Sequence, residues 1–261
     1  MATYQHLLFE NTNCVARITL NRPQVYHALS PALISEITVA IKAAENDESV
    51  RVLIITGEGD KAFCSGADLK ETAGSGKGAG EILREYYNPM IQAIRTIPKP
   101  VICRLNGLAV GAGCSLALAC DQVIAREDAY LSLLFVQIGL MPDTGATFFL
   151  PRLVGIARAF EIASTGRKVY APEAASIGLI NRSVPADKLD AAIEQTAAYY
   201  RNAPTQAIGA MKLVMNESFQ SDLAKMQQHE LENQERLFKT YDAQEGIASF
   251  LQKKSPDFQG R

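Results

Sequence analysis

The sequence has no tryptophan, only 3 histidines, and 5 cysteines, none of them spaced as Cys-x-x-Cys. With so few ligands and no such pair, a metal site is not expected. The five thiols (Cys14, Cys64, Cys103, Cys114, Cys120) are odd in number and sit mostly in apolar stretches. That argues against a disulfide framework and predicts reduced, packed cysteines of a cytoplasmic protein. No apolar run approaches the ~20 residues of a bilayer span, and the opening MATYQHLLFE lacks a signal-peptide pattern, so no membrane association is expected. An excess of one charge is missing too: 26 basic and 28 acidic side chains leave a net charge of -2. The densest basic spot, Lys253-Lys254, is too small for a nucleic-acid surface. What is present is a chain of 261 residues, 48% hydrophobic, enough for one large core or one domain with a small appendage.

Tyr4 to Glu10 and Cys14 to Asn21 read as two strands around the turn Asn11-Thr12-Asn13, with Cys14, Ala16, Ile18 and Leu20 on one face. Ser30-Pro31 opens a helix as cap and first residue, and Leu33, Ile34, Ile37, Ala40, Ile41 and Ala44 stripe it. Val52 to Ile55 is short and β-branched enough to be a buried strand. A helix around Glu81 to Ile97, a strand over Val101 to Leu105, and another strand–helix passage repeat the order. Gln122 to Ala125 and Tyr130 to Leu134 are further strands. This alternation predicts an α/β fold. From Pro185 onward the pattern is nearly all helical, as for a unit that docks on the body or on a partner chain. Ala73 to Gly80, AGSGKGAG, predicts a mobile loop, read equally as a lid or a linker.

The stretch NGLAVGAGCSLALACD, Asn106 to Asp121, runs from an apolar strand through glycines into an apolar helix. It is not a dinucleotide fingerprint, because no third glycine follows Gly113. It comes within one residue of a Gly-x-Ser-x-Gly nucleophile elbow at Ser115, but the only later histidine is His229, in the polar run QQHELENQE. A third reading uses backbone N–H groups, left without partners at a helix start, to hold an oxyanion. The competing reading, tight packing alone, stays open on this stretch. A second glycine turn, GEGDKAFCSGADLKE over Gly57 to Glu71, favours the oxyanion: two turns, each after a strand, can aim one N–H apiece at one thioester oxygen.

With those residues, the chain resembles the enoyl-CoA hydratase/isomerase superfamily, the crotonase fold. The resemblance also rests on Asn21-Arg22-Pro23 with Ala28-Leu29-Ser30, on Ile138 to Asp143, on Leu150-Pro151-Arg152, and on the tail Glu245-Gly246 with Phe250 to Pro256. It implies a spiral of repeated ββα units over 1–200 and a C-terminal helical trimerisation region over 201–261. It further implies a homotrimer or a hexamer (a dimer of trimers), and a coenzyme A thioester substrate with no tightly bound cofactor. By position it assigns the oxyanion-hole N–H groups to Ser65 and Ala112. Ala67, Asp68 and Leu69 would line the adenine-nucleotide pocket with Arg22 near the phosphates, and Phe250 and Lys253, often lent by a neighbouring subunit, would complete it.

Hydratases of this superfamily use two glutamates; here the corresponding positions are Ser115 and the neighbourhood of Phe135, neither acidic. Asp143 is the acid that remains. Its local sequence fits an N-cap, while certain isomerases of the superfamily carry their single catalytic acid at this Pro-Asp or Pro-Glu position. An apolar surround, with Phe135, Leu140 and Phe148 as liners, would raise its pKa. The expectation is therefore an acyl-CoA isomerase, most similar to the 1,2-epoxyphenylacetyl-CoA isomerases, with Δ3-Δ2 enoyl-CoA isomerisation open. The rivals are a hydratase using Asp143 with Glu71 or Glu81, a dehalogenase-like enzyme made less attractive by the missing tryptophan, and a non-catalytic acyl-CoA binder. His27 replaces an asparagine usual in the N-terminal motif and is expected to be packed or on the surface.

Overall fold

The computed structural model describes residues 3–74 and 76–261. Ten strands divide between two sheets: β1 Leu7–Thr12, β2 Val15–Leu20, β3 Val52–Gly57, β4 Ala62–Cys64, β5 Val101–Leu105, β6 Leu108–Val110, β7 Gln122–Arg126, β8 Tyr130–Ser132, β9 Val169–Tyr170 and β10 Arg182–Val184. The large sheet has the order β1-β2-β3-β5-β7-β10 and the small one β4-β6-β8-β9. Every pairing from β2 to β10 is parallel, and so are β4 with β6 and β6 with β8. Each of β3–β4, β5–β6 and β7–β8 thus places one strand in each sheet before the chain moves on. That is an α/β spiral of ββα turns.

The continuous apolar runs follow from burial on both faces. Val52, Ile54, Ile102 and Ile124 point outward and are covered by Leu189, Ala192, Ile193 and Ala197 of the helix Leu189–Arg201. Their alternates Leu53, Ile55 and Cys103 point into the main core with Leu33, Ile34 and Ile37 of the helix Pro31–Asn46. Ser30 caps that helix through Leu33 N–H, as its sequence predicts.

The N-terminal hairpin differs from expectation. Thr12 pairs with Val15, so the turn is Asn13-Cys14, both with positive φ (51° and 63°). This is the two-residue geometry that matches strand twist; asparagine tolerates it, and Cys14 is carried out of the strand to the surface. The predicted Glu81–Ile97 helix is present from Ala79 to Thr96, but Leu83–Tyr87 forms a π turn. Pro89 explains it: proline has no N–H for the carbonyl four residues back, and the chain accommodates an extra residue there. Of the glycine-rich loop, Ser75 lies outside the described residues.

The C-terminal helices are tied to the body by a half-buried arginine and a buried lysine. Arg51 donates to the Thr205 hydroxyl (3.0 Å) and to the carbonyls of Ala203 and Phe258. Lys212, 9% exposed, donates to the Ile94 and Lys99 carbonyls and pairs with Asp121 at 2.7 Å. Beyond it, the helix Leu223–Leu237 has no buried residue, and Leu223, Leu231, Phe238 and Leu251 are exposed. Among the described residues no helix is long and apolar enough to cross a membrane.

Glycine is required where the two sheets meet. A Cβ on Gly113 would stand 2.3 Å from the Cys64 carbonyl oxygen, against backbone that cannot yield. Gly113→Ala is therefore expected to lower unfolding free energy by ~1–3 kcal/mol, as overpacking does. Gly80→Ala, with open space around it, should be neutral. Equal denaturation midpoints for the two variants would contradict this account.

Candidate active site

The two glycine turns lie side by side because β4 and β6 are parallel neighbours. After β4, Leu29 pairs with Ala67: Leu29 N–H donates to Gly66 (2.7 Å) and Asp68 N–H donates to the Leu29 carbonyl (3.0 Å). A residue paired in this way through its neighbours turns its own N–H to the opposite side. For Ala67 that is the side away from Leu29, and its N–H has no acceptor among the described residues. After β6, Gly111 (φ 54°) opens the helix Ala112–Ala119, and Ala112, as first residue, has an N–H with no intrahelical partner. A Cβ on Gly66 would lie 2.7 Å from the Val110 carbonyl and 3.5 Å from the Ala112 nitrogen. The residue before the Ala67 amide thus lies against the Ala112 nitrogen at a helix start, where the helix dipole adds positive potential.

Ser65 has no free amide. Its N–H donates to the Tyr26 carbonyl at 2.9 Å and its hydroxyl to Val25 at 3.0 Å. The N–H left without an acceptor among the described residues is that of Ala67, two positions after Ser65. Arg22 is 7% exposed, with its guanidinium held by Asp68 (3.0 Å), Glu71 (2.7 Å) and the Ala28 carbonyl (2.6 Å). Two carboxylates balance its charge, so it does not present a free cation to phosphates. Asp68 itself accepts from Glu71 N–H. Leu69 is 56% exposed beside the turn. Phe250, 83% exposed, and Lys253 lie at the end of the last helix, and no hydrogen bond or ion pair among the described residues links them to this cluster.

Asp143 sits on the loop before the helix Ala146–Val154. That helix is capped by Gly145 with no side-chain bond, so the carboxylate is not an N-cap. Its partner is the Thr144 hydroxyl at 2.8 Å, and Thr144 takes a positive φ of 54° to supply it, costly for a β-branched residue. Ser115, fully buried, donates its hydroxyl to the Asp143 main-chain carbonyl at 3.0 Å. With that bond made and no histidine among its partners, Ser115 anchors the acid and is not an activated nucleophile. Burial pushes the Asp143 carboxyl above its ordinary value, opposed by the Thr144 bond. Of the expected liners Phe135 is buried, Leu140 is 54% exposed, and Phe148 turns to the Arg152 guanidinium.

Tyr87 was not singled out in the sequence. Carried inward by the π turn, it is 4% exposed with its hydroxyl 3.4 Å from the Leu29 carbonyl. Burial, then the charges of Cys64, Asp143 and Asp68, push its pKa up, so it serves as a hydrogen-bond donor and not as a base. The pattern Tyr-Tyr-Asn-Pro was the available signal. Cys64 is buried and pushed up to about 12, a thiol too basic to act as nucleophile. His27 is buried and neutral: Nδ1 accepts from Arg22 N–H and Nε2 donates to the Glu58 carbonyl, each at 3.0 Å, and burial lowers its pKa. A cleft of about 800 Å³ opens between Asn88, Ile91, Gly145, Phe149 and His229, and neither Tyr87 nor Asp143 lines it. No cluster of three or more His, Cys, Asp or Glu among the described residues could hold a metal.

Comparison with known proteins is consistent across sequence and structure. The family model "Enoyl-CoA hydratase/isomerase" matches residues 10–261. A probable enoyl-CoA hydratase of Rhodobacter capsulatus is 40% identical over 99% of this chain and 100% of its own. A 1,2-epoxyphenylacetyl-CoA isomerase of Escherichia coli is 34% identical over 95% of each. The crystal structure of an enoyl-CoA hydratase from Bacillus anthracis superposes with a TM-score of 0.91 at 34% identity, covering 98% of this chain and 100% of that one.

The Thr144 bond favours the charged carboxylate, so removing it raises the Asp143 pKa further. In Thr144→Val the aspartate should titrate at higher pH than in the wild type, read by NMR of carboxyl-labelled protein; a downward or absent shift contradicts the assignment.

Proposed function

The chain belongs to the enoyl-CoA hydratase/isomerase family, and from that premise we propose that it is an acyl-CoA isomerase in which Asp143 moves a proton along the acyl group. The observation that carries the reading is a pair of free amides, Ala67 and Ala112, on neighbouring turns, with one half-buried, pKa-raised carboxylate and with Ser115 and Phe135 where a hydratase's two glutamates would stand. The thioester oxygen lies between the two N–H groups. Asp143 takes a proton from carbon, the C–H pair moves into the conjugated system, and negative charge gathers on that oxygen. Reversal of the electron flow returns the proton to a different carbon and leaves Asp143 ionised. One such amide donor is worth ~3 kcal/mol of barrier, and raising the acid's pKa toward the working pH strengthens it as a base.

Coenzyme A arrives with the substrate, and the acyl group is a Δ3 enoyl chain or an epoxidised aromatic ring. Leu69, and Phe250 and Lys253 from a neighbouring subunit, complete the coenzyme A pocket of a cytoplasmic homotrimer or hexamer. The exposed apolar residues of the C-terminal helices support that assembly.

A second reading, hydration of a trans-2-enoyl-CoA, is favoured by the relative named a probable enoyl-CoA hydratase. It needs a second group to hold water. Glu71 is engaged by Arg22 and Glu81 is exposed, which leaves the Tyr87 hydroxyl.

Incubation with a 3-enoyl-CoA in D2O should raise the conjugated-thioester absorbance with the shuttled hydrogen retained in the product, and Asp143→Asn should slow this by ~10²–10⁴-fold. Robust loss of absorbance from a trans-2-enoyl-CoA would instead support hydration. Full turnover by Asp143→Asn would remove the aspartate from the mechanism.

A further inference from the structure

We infer that Arg22 is a positioning residue for the oxyanion hole, holding the peptide of Ala67 in the orientation that presents its N–H. The inference rests on the reading that Ala67 N–H receives the thioester oxygen. Ala67 has only a methyl group to hold it, and it follows Gly66, whose φ of 99° lies where glycine alone is unstrained. Its N–H has no acceptor among the described residues, so its direction is set by its neighbours.

Those neighbours are clamped from both sides by one guanidinium. On one side Leu29 brackets Ala67 through Gly66 and Asp68. Arg22 Nη1 donates to the carbonyl of Ala28, the residue just before Leu29. On the other side Arg22 Nη2 reaches the carboxylate of Asp68, the residue just after Ala67, and that of Glu71 one turn on. Residue 28 and residue 68 are therefore joined through a single planar group that spans the bridge between 29 and 67. Arg22 is in turn fixed by its own N–H to neutral His27, whose other nitrogen bonds Glu58. A planar fork makes these bonds in fixed relative directions; an ammonium in its place would hold charge without geometry. Because misplacing a catalytic group by about 1 Å can cost ~10²-fold, a clamp around the amide acts on rate and not on affinity.

The test reads the hole directly. A short trans-2-enoyl-CoA bound to the wild type should show its thioester carbonyl stretch shifted to lower frequency by infrared or Raman difference spectroscopy, because two N–H donors polarise the bond. Arg22→Lys and Asp68→Asn, each checked for native circular dichroism, should lose most of that shift, with kcat reduced at least ~10-fold and KM within ~3-fold. Glu71→Gln, half exposed at the end of the clamp, should lose less. Asp143→Asn should keep the full shift while losing proton transfer. An unchanged carbonyl shift in folded Arg22→Lys and Asp68→Asn, or a loss confined to KM, overturns the inference and leaves the amide pair standing. A wild type with no carbonyl shift overturns both.

Discussion

An amide N–H can be offered to a substrate only if everything around it is already satisfied, because an unpaired buried donor is otherwise a cost to the fold. The whole site depends on meeting that condition twice at one point. β4 and β6 run parallel and end together; Leu29 takes the groups flanking Ala67, and the helix after β6 has no use for the N–H of its first residue. The absence of side chains at Gly66 and Gly113 lets these turns touch. The tight-packing reading of the glycine stretch holds at Gly113, whose Cβ would stand 2.3 Å from the Cys64 carbonyl oxygen, and the same close approach leaves the Ala112 N–H at a helix start.

Around this pair the electrostatics are graded. Arg22 is buried but neutralised by two carboxylates, so it shapes the turn without dominating the field. Asp143 has no cation at all among its partners; a hydroxyl faces its carboxylate and another holds its main chain. Burial is left as the main influence on its proton affinity, and burial pushes that upward. An acid paired with arginine would be a poor base near neutral pH; an acid paired with threonine is a better one.

The α/β alternation was legible in the sequence because strands and helices differ in apolar period; the spiral of ββα units came only with the family resemblance. Asp143 was legible as a lone acid. The choice between Ser65 and Ala67 was not, since which amide is left free is decided by Leu29, nearly forty residues away. Arg22 was misread for a related reason. A basic residue in a turn looks like a phosphate ligand until Asp68 and Glu71 are folded beside it. The expected turn Asn11-Thr12-Asn13 gave way to Asn13-Cys14 because Asn11 and Thr12, residues with turn chemistry, are drawn into the ladder opposite Ala16 and Val15. The boundary at residue 200 falls at the end of a helix that covers the large sheet, and Arg51 and Lys212 bind the following segment to that body.

The π turn at Leu83–Tyr87 has one further consequence. By absorbing an extra residue just before Pro89, it uncouples the angular phase of the two halves of its helix. Asn88–Thr96 stays registered on the core through Met90 and Ile94. The half leading back toward Ala79 is turned by its own phase, so a side chain there can face a direction that an uninterrupted helix anchored by Met90 and Ile94 would not allow.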